Sequence, residues 1–324
     1  MLGKIAAFAF GLVLMGSAAA QGAPPNWPQK PVRFIVPFPP GGATDISARL
    51  LGQKLQEIWG QTVVIENRGG AGGGVGATEA ARAAPDGYTL FFPSGSVVTA
   101  NQHIYAKIGY DPDKDFIPVT KVVSGPQVLT VPASSPFKSV KELIDHARAN
   151  PGKLTFASAG MGTASHLAGE LFKSMAKAEM AHIPYKGNVP AITDLLAGQT
   201  SLIFATMPTV LPHVKAGRLR PLATIGAQRS AAAPELPTVA EAGLAGFAVT
   251  NWVGFFAPAR TPAEVVQRWN AETTRVMQSP EIQSRLVNEG ARFIPMSPDQ
   301  FGAFVKSEIA KWAPVVKASG ARVD

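Results

Sequence analysis

The sequence predicts an α/β protein with mainly parallel sheets, divided into two domains. Apolar runs of four to six residues recur with helical patterns between them: VRFIV from Val32, TVVIE from Thr62, YTLFF from Tyr88, LTFAS from Leu154, SLIFA from Ser201 and LATI from Leu222. Such alternation implies parallel strands joined by crossover helices. Several runs also end in a turn rich in Gly, Pro and Ser that leads straight into a helix, as in VRFIVPFPPGGATDISARLLGQKL from Val32 to Leu55. Finally, a chain that is 46% hydrophobic and keeps about 300 residues after removal of a leader is too large for one core and is expected to split.

Taken in order, the chain opens with MLGKIAAFAFGLVLMGSAAA, which carries Lys4, an apolar run from Ile5 to about Gly16, and Ala18-Ala19-Ala20 as a small-residue cleavage site. This pattern predicts a secretory signal peptide over residues 1–20. The run is too short for the roughly 30 Å hydrocarbon core of a bilayer, so a soluble, exported chain is expected. The sequence has no cysteine, which excludes disulfides, thiolate chemistry and a cysteine-borne lipid anchor. The net charge is +8; loss of Lys4 leaves 29 basic against 22 acidic residues, or +7. No block of five like charges occurs and the cations are not interleaved with aromatics, so a small anionic ligand is a better use of this field than nucleic acid.

After the first strand, Ile46, Leu50, Leu51, Leu55 and Ile58 fall at helical spacings of three and four, predicting a helix over Ile46 to Trp59 with one face in the core. A second helix is predicted over Leu167 to Met175. Near the end, Thr261-Pro262-Ala263-Glu264 and Ser297-Pro298-Asp299-Gln300 read as capping boxes with Pro at the first helical position, and Ser279-Pro280 as a simpler cap.

Four turns share one design: PFPPGGATD from Pro37 to Asp45, SAGMGTASH from Ser158 to His166, PYKGNVPA from Pro184 to Ala191, and ATMPT from Ala205 to Thr209. In an open sheet, ligands sit beyond the carboxyl ends of the strands. There the first amides of each helix lack intrahelical acceptors and, with the helix dipole, attract an anion. Asp45 reads either as a helix cap or as a contact for a ligand hydroxyl, ammonium or water. Ser94 and Gly95 in FFPSGS stand at another strand end, within reach of the same ligand.

Other chemistries find little support. Gly72-x-Gly74-x-x-Ala77 matches a dinucleotide fingerprint, but five residues separate it from the preceding strand, and Pro93 and Ser94 stand where a ribose-binding acid belongs. His166 and Glu170 are four apart on one helix, yet a third metal ligand is missing. No GxSxG elbow occurs; a hydrolase would have to use Ser158 with His166. No cofactor and no metal is expected.

The segments VPFPPGGATDISAR, VVIENRGGAGGGVGA, APDGYTLFF, NPGKLTFASAGMGTASHLAGELF, HIPYKGNVPAITDLLAGQ, LPHVKAGRLRPLA and PELPTVAEAGLAGF resemble, in that order, the motifs of the Bordetella uptake gene (Bug) family. These are the periplasmic solute receptors of tripartite tricarboxylate transporters, also called the TctC family, and the likeness runs from Trp27 onward. The resemblance implies a two-lobed flytrap fold without catalytic activity, each lobe a mainly parallel sheet flanked by helices. A carboxylate-bearing solute would be caught between the lobes and released to membrane subunits, with the protein acting as a monomer in the periplasm. It implies ligand contacts from Phe38, Gly41, Gly42, Ala43 and Asp45 on one lobe, from Ser158, Gly162, Thr163, Ala164 and His166 on the other, and from Gly187 and Asn188. Thr206 lines the same site. Crossings between lobes are expected near Val119 to Val123 and Val249 to Trp252, giving lobe one as 27–120 plus 250–324 and lobe two as 121–249. Gly74 stands where members often have Asn, and Thr163 where they often have Ser. Ala205 and Thr206 replace a frequent acid or amide, which points away from amino acids and toward di- or tricarboxylates or aromatic carboxylates. A sensor subunit binding the same ligand class for a signalling kinase is the alternative, with the Ser158/His166 hydrolase behind it.

Overall fold

A computed structural model of the chain describes residues 27–323, apart from 126 and 289; the expected signal peptide at 1–20 lies outside the described residues. The chain begins with β1 (Val32–Val36), α1 (Ala43–Trp59), β2 (Val63–Asn67), α2 (Gly74–Ala81), β3 (Thr89–Phe91), α3 (Gly95–Thr99), α4 (Asn101–Ile104) and β4 (Phe116–Gly125). It continues through β5 (Gln127–Pro132), α5 (Val140–Ala149), β6 (Leu154–Ser158), α6 (Ala164–Ala176), β7 (Met180–Pro184), α7 (Asn188–Leu196), β8 (Leu202–Thr206), α8 (Met207–Lys215) and β9 (Leu219–Thr224). Last come β10 (Asn251–Pro258), α9 (Ala263–Met277), α10 (Pro280–Asn288) and α11 (Pro298–Ser319). Among the described residues no helix is long and apolar enough to cross a membrane.

Two five-stranded sheets result, ordered β2-β1-β3-β10-β4 and β7-β6-β8-β5-β9. In each, four strands point one way and the fourth in line runs against them: β10 is antiparallel to β3 and β4, and β5 to β8 and β9. The parallel sheets expected from strand and helix alternation are therefore mixed. The reason is topological, because β5 and β10 are the strands on which the chain enters each sheet from the other lobe, without a crossover helix. Lys121 to Gly125 pair with β10 in the first sheet, and Gln127 pairs with Thr206 in the second. The chain returns between Val249, whose amide donates to Ile225 O, and Asn251, which pairs with Gly125.

The first sheet is covered on one face by α1, α9 and α10, whose Leu51, Leu55, Val266, Trp269 and Leu286 pack on Phe34 and Phe255. Trp27 begins the described chain wedged edge-on against Trp59 and Trp269, with ring centroids 5.5 and 5.2 Å away. The opposite face carries Phe301 and Val305 of α11 against Trp252 and Phe256. The same helix then reaches the second sheet's core with Trp312 and Val316, so α11 spans both lobes.

The apolar stripe of α1 is only partly core: Leu51 and Leu55 are buried, Ile46 and Leu50 are half-buried, and Ile58 is 43% exposed. The capping box at Ser297 and Gln300 forms in both directions, at 3.2 and 2.9 Å. That expected at Thr261 does not, because its hydroxyl turns back to donate to Pro258 O at 2.7 Å and Pro262 becomes the N-cap.

Candidate ligand-binding site

The N-termini of α1, α6, α7 and α8 border one cavity between the lobes. In α1 the first intrahelical bond is Ile46 N to Gly42 O, so the amides of Ala43, Thr44 and Asp45 precede any carbonyl partner in the helix. In α6 the first is Leu167 N to Thr163 O, which leaves Ala164 and Ser165 in the same condition. Gly187 caps α7 with φ +123°, and Thr206 caps α8. Two walls from opposite lobes thus present donors toward one space.

The cavity is lined by Phe38, Gly42, Ala43, Ser94, Thr163, Ala164, Gly187, Asn188 and Thr206 from the residues expected in sequence. Of the other six, Asp45, Gly95, Ser158, Gly162 and His166 lie buried behind the surface, while Gly41 is exposed with its amide turned to Asp45. Asp45 is 2% exposed. Its Oδ2 accepts from Gly41 N (2.9 Å) and Arg49 Nε (3.0 Å), and its Oδ1 from Asn67 Nδ2 (2.9 Å). Burial works against this carboxylate's charge, but the bonds from Arg49, Gly41 and Asn67 together hold its pKa below the ordinary value. Asp45 therefore fixes the turn, and the Gly41 amide is occupied by it. Gly95 packs flat on the Trp252 indole, where a Cβ would collide with the ring. Gly162, at φ +77°, lies against the Asn101 side chain.

Ser158 and His166 also point inward, 0% and 1% exposed. Ser158 Oγ lies 2.6 Å from His182 Nε2 and accepts from Gly160 N at 3.1 Å. His166 Nδ1 accepts from Gly162 N at 3.2 Å, and its ring stacks on His182 with centroids 4.3 Å apart. Burial pushes the His166 pKa down to about 4, with Lys173 adding to the effect. His182 is pushed to about 3 by burial first, then by His166 and Lys173. Both rings are neutral near pH 7, and as acceptors and packing groups they brace the turn from beneath. Ser158 therefore partners His182, not His166, and is closed off from the cleft. Thr163 Oγ1 is likewise engaged, donating to Gly160 O (2.7 Å) and accepting from His166 N (3.4 Å); its hydroxyl is a helix cap at the cavity wall.

Sequence reasoning missed Gln127, Lys186 and Asn251 in the lining. Gln127 and Asn251 are the first residues of the two entering strands, so no local motif marks them. Gln127 sits in register with Thr206. The Oε1 of Gln127 and the Oδ1 of Asn188 are buried without a donor among the described residues, an arrangement that calls for a ligand or water donor. Lys186 is exposed at the mouth and is the sole charged residue of the lining among the described residues; it stood within a quoted turn and was legible there.

Two α/β lobes joined by crossing strands, with helix N-termini facing a small cavity between them, have the architecture of a solute-binding protein. The family model "Tripartite tricarboxylate transporter family receptor" matches residues 47–321, and the chain belongs to this family, TctC. It is 38% identical to BugT of Bordetella pertussis over 299 residues, which cover 92% of either chain. Among solved structures it resembles Rpa4515 of R. palustris with adipate, with a TM-score of 0.88 and 37% identity over 91% of this chain and 98% of the other. It also resembles MatC from Rhodopseudomonas palustris with bound malate, with a TM-score of 0.84 and 33% identity over 90% of this chain and all of that one. The family is one of periplasmic receptors, not of enzymes.

Proposed function

We propose that the chain, exported by its first twenty residues, binds a small carboxylate between its lobes as a monomer in the periplasm. It then delivers the solute to the membrane subunits of a tripartite tricarboxylate-type transporter. One observation carries the reading: orphan amides at helix N-termini from both lobes converge on a cavity whose lining holds a single cation, Lys186, and no acid among the described residues. A carboxylate bound by such amides gains about 1.5 to 3 kcal/mol per charge-assisted bond, and the missing acid leaves an ammonium group without a counter-charge. The adipate and malate held by the two relatives support the same ligand class.

The test is a thermal-shift screen on mature protein that has been unfolded and refolded to strip any carried ligand. At about 100 times Kd a binder adds roughly 2.7 kcal/mol, a shift of several degrees. Carboxylates should produce it, and neutral sugars should not. Stabilisation by sugars with none from carboxylates overturns the reading.

A further inference from the structure

A second cavity lies beside the first, between α1, the crossing strands and α10. The two share Ala43, Thr206 and Asn251 as lining residues, so they are adjacent, with a change of character at Ala43. On the near side are helix amides, neutral polar side chains and Lys186; the far side is mostly apolar, with Ile46, Leu50, Val122, Val253, Met277 and Leu286, and also carries Ser47 and Arg285. Ile46 and Leu50 are the members of the α1 stripe that the protein's own fold leaves half-covered. A mostly apolar cavity next to a ligand cavity, with Val122, Val253, Met277 and Leu286 buried in its walls and Ile46 and Leu50 half-covered, is suited to an apolar part of the same ligand.

We propose that this groove is a second subsite of the cleft, taking the aliphatic chain or aromatic ring of a carboxylate whose head group lies on the N-termini of α1 and α6. The inference rests on the carboxylate reading above and narrows it. The ligand is an amphipathic acid with an apolar body of several carbons, in preference to a compact, fully polar tricarboxylate. Burial of each additional methylene in the groove is expected to tighten binding two- to fourfold until the groove is filled.

The experiment titrates stripped, refolded mature protein by calorimetry with straight-chain monocarboxylates from propionate to octanoate, and with benzoate and 3-phenylpropionate. The parent protein should bind more tightly with each added carbon and bind 3-phenylpropionate more tightly than propionate. Leu50→Trp fills the groove and should flatten the series while leaving propionate binding within about twofold; Ser47→Phe, from the next position of the groove wall, repeats the test if Leu50→Trp lowers the melting temperature without ligand. Binding that is equally tight along the series in the parent overturns the subsite and leaves the carboxylate reading standing. Chain-length dependence that survives both filling variants also overturns it. If no member binds and no dicarboxylate does either, the carboxylate reading itself fails and the subsite with it.

Discussion

At the scale of single residues, the amide of Ala43 and the hydroxyl of Thr163 occupy comparable places on opposite lobes and do different work. Ala43 is the first residue of α1 and follows Gly42 at ψ 164°, a conformation that accepts a following proline. Proline at the first helical position is also well tolerated. Ala43→Pro should therefore fold with an unchanged melting temperature yet lose one donor, weakening carboxylate binding about tenfold or more in calorimetry; parental affinity would remove α1 from the site. Thr163→Val instead removes a cap, and should cost about 1 kcal/mol of stability, seen as a fall of a few degrees in melting temperature and restored by Thr163→Ser. The four turns were legible in sequence because glycine, proline and capping residues leave local signatures. Gln127 and Asn251 were not, since they reach the cleft only through strand pairing across long sequence separations. His182 escaped for a similar reason: register places it opposite Phe156 on β6, next to Ser158, and no local spacing reveals that.

Among the elements, β6, β7 and α6 form a unit whose stability follows the two stacked imidazoles. Their pKa values, about 4 and about 3, lie below the ordinary histidine value of 6.5. As pH falls below 6.5 the unfolded chain takes up protons that the folded chain refuses, so stability declines through the window from about 6.5 to about 3 and levels only when both folded rings also protonate. Melting temperature should fall over that range, and His182→Gln, which keeps a polar partner for Ser158, should flatten the fall. A parent curve that is flat between pH 6.5 and 4 would show that these rings protonate equally well in both states. The capping box of α11 offers a separate check, since Ser297→Ala should cost about 1 kcal/mol while Thr261→Ala, whose hydroxyl does not cap, acts only through its bond to Pro258. Apolar runs such as VRFIV and LTFAS announced their strands because each is buried on both faces. The entering strands β5 and β10 are buried in the same way, but nothing local marks them as antiparallel to their neighbours. Their positions in the sheets are settled by pairing partners far away in the chain.

For the whole molecule, two chain crossings connect the lobes, Tyr105 Oη donates across them to Met161 O, and α11 is fixed to both: Phe301 and Val305 to the first, Trp312 and Val316 to the second. Between these anchors, Glu308 accepts from Trp252 Nε1 and Trp312 Nε1, each at 3.3 Å. Closure on a ligand should pivot about this point and lower the radius of gyration in small-angle scattering, whereas identical profiles with and without saturating ligand would argue against hinge motion. The place of β10 bears on how the molecule comes to exist. It lies between β3 and β4, yet it is synthesised after the whole of the second sheet, so the earlier strands wait with an unfilled slot until the chain returns. Folding that depends on so distant a pairing is slow and exposes strand edges while it lasts. Trp252, seated on β10 against Gly95 and Phe301, reaches its final surroundings only when that slot closes. Its emission is therefore the natural clock for refolding, and a ligand added before that signal settles meets a first lobe whose antiparallel strand is not yet in place.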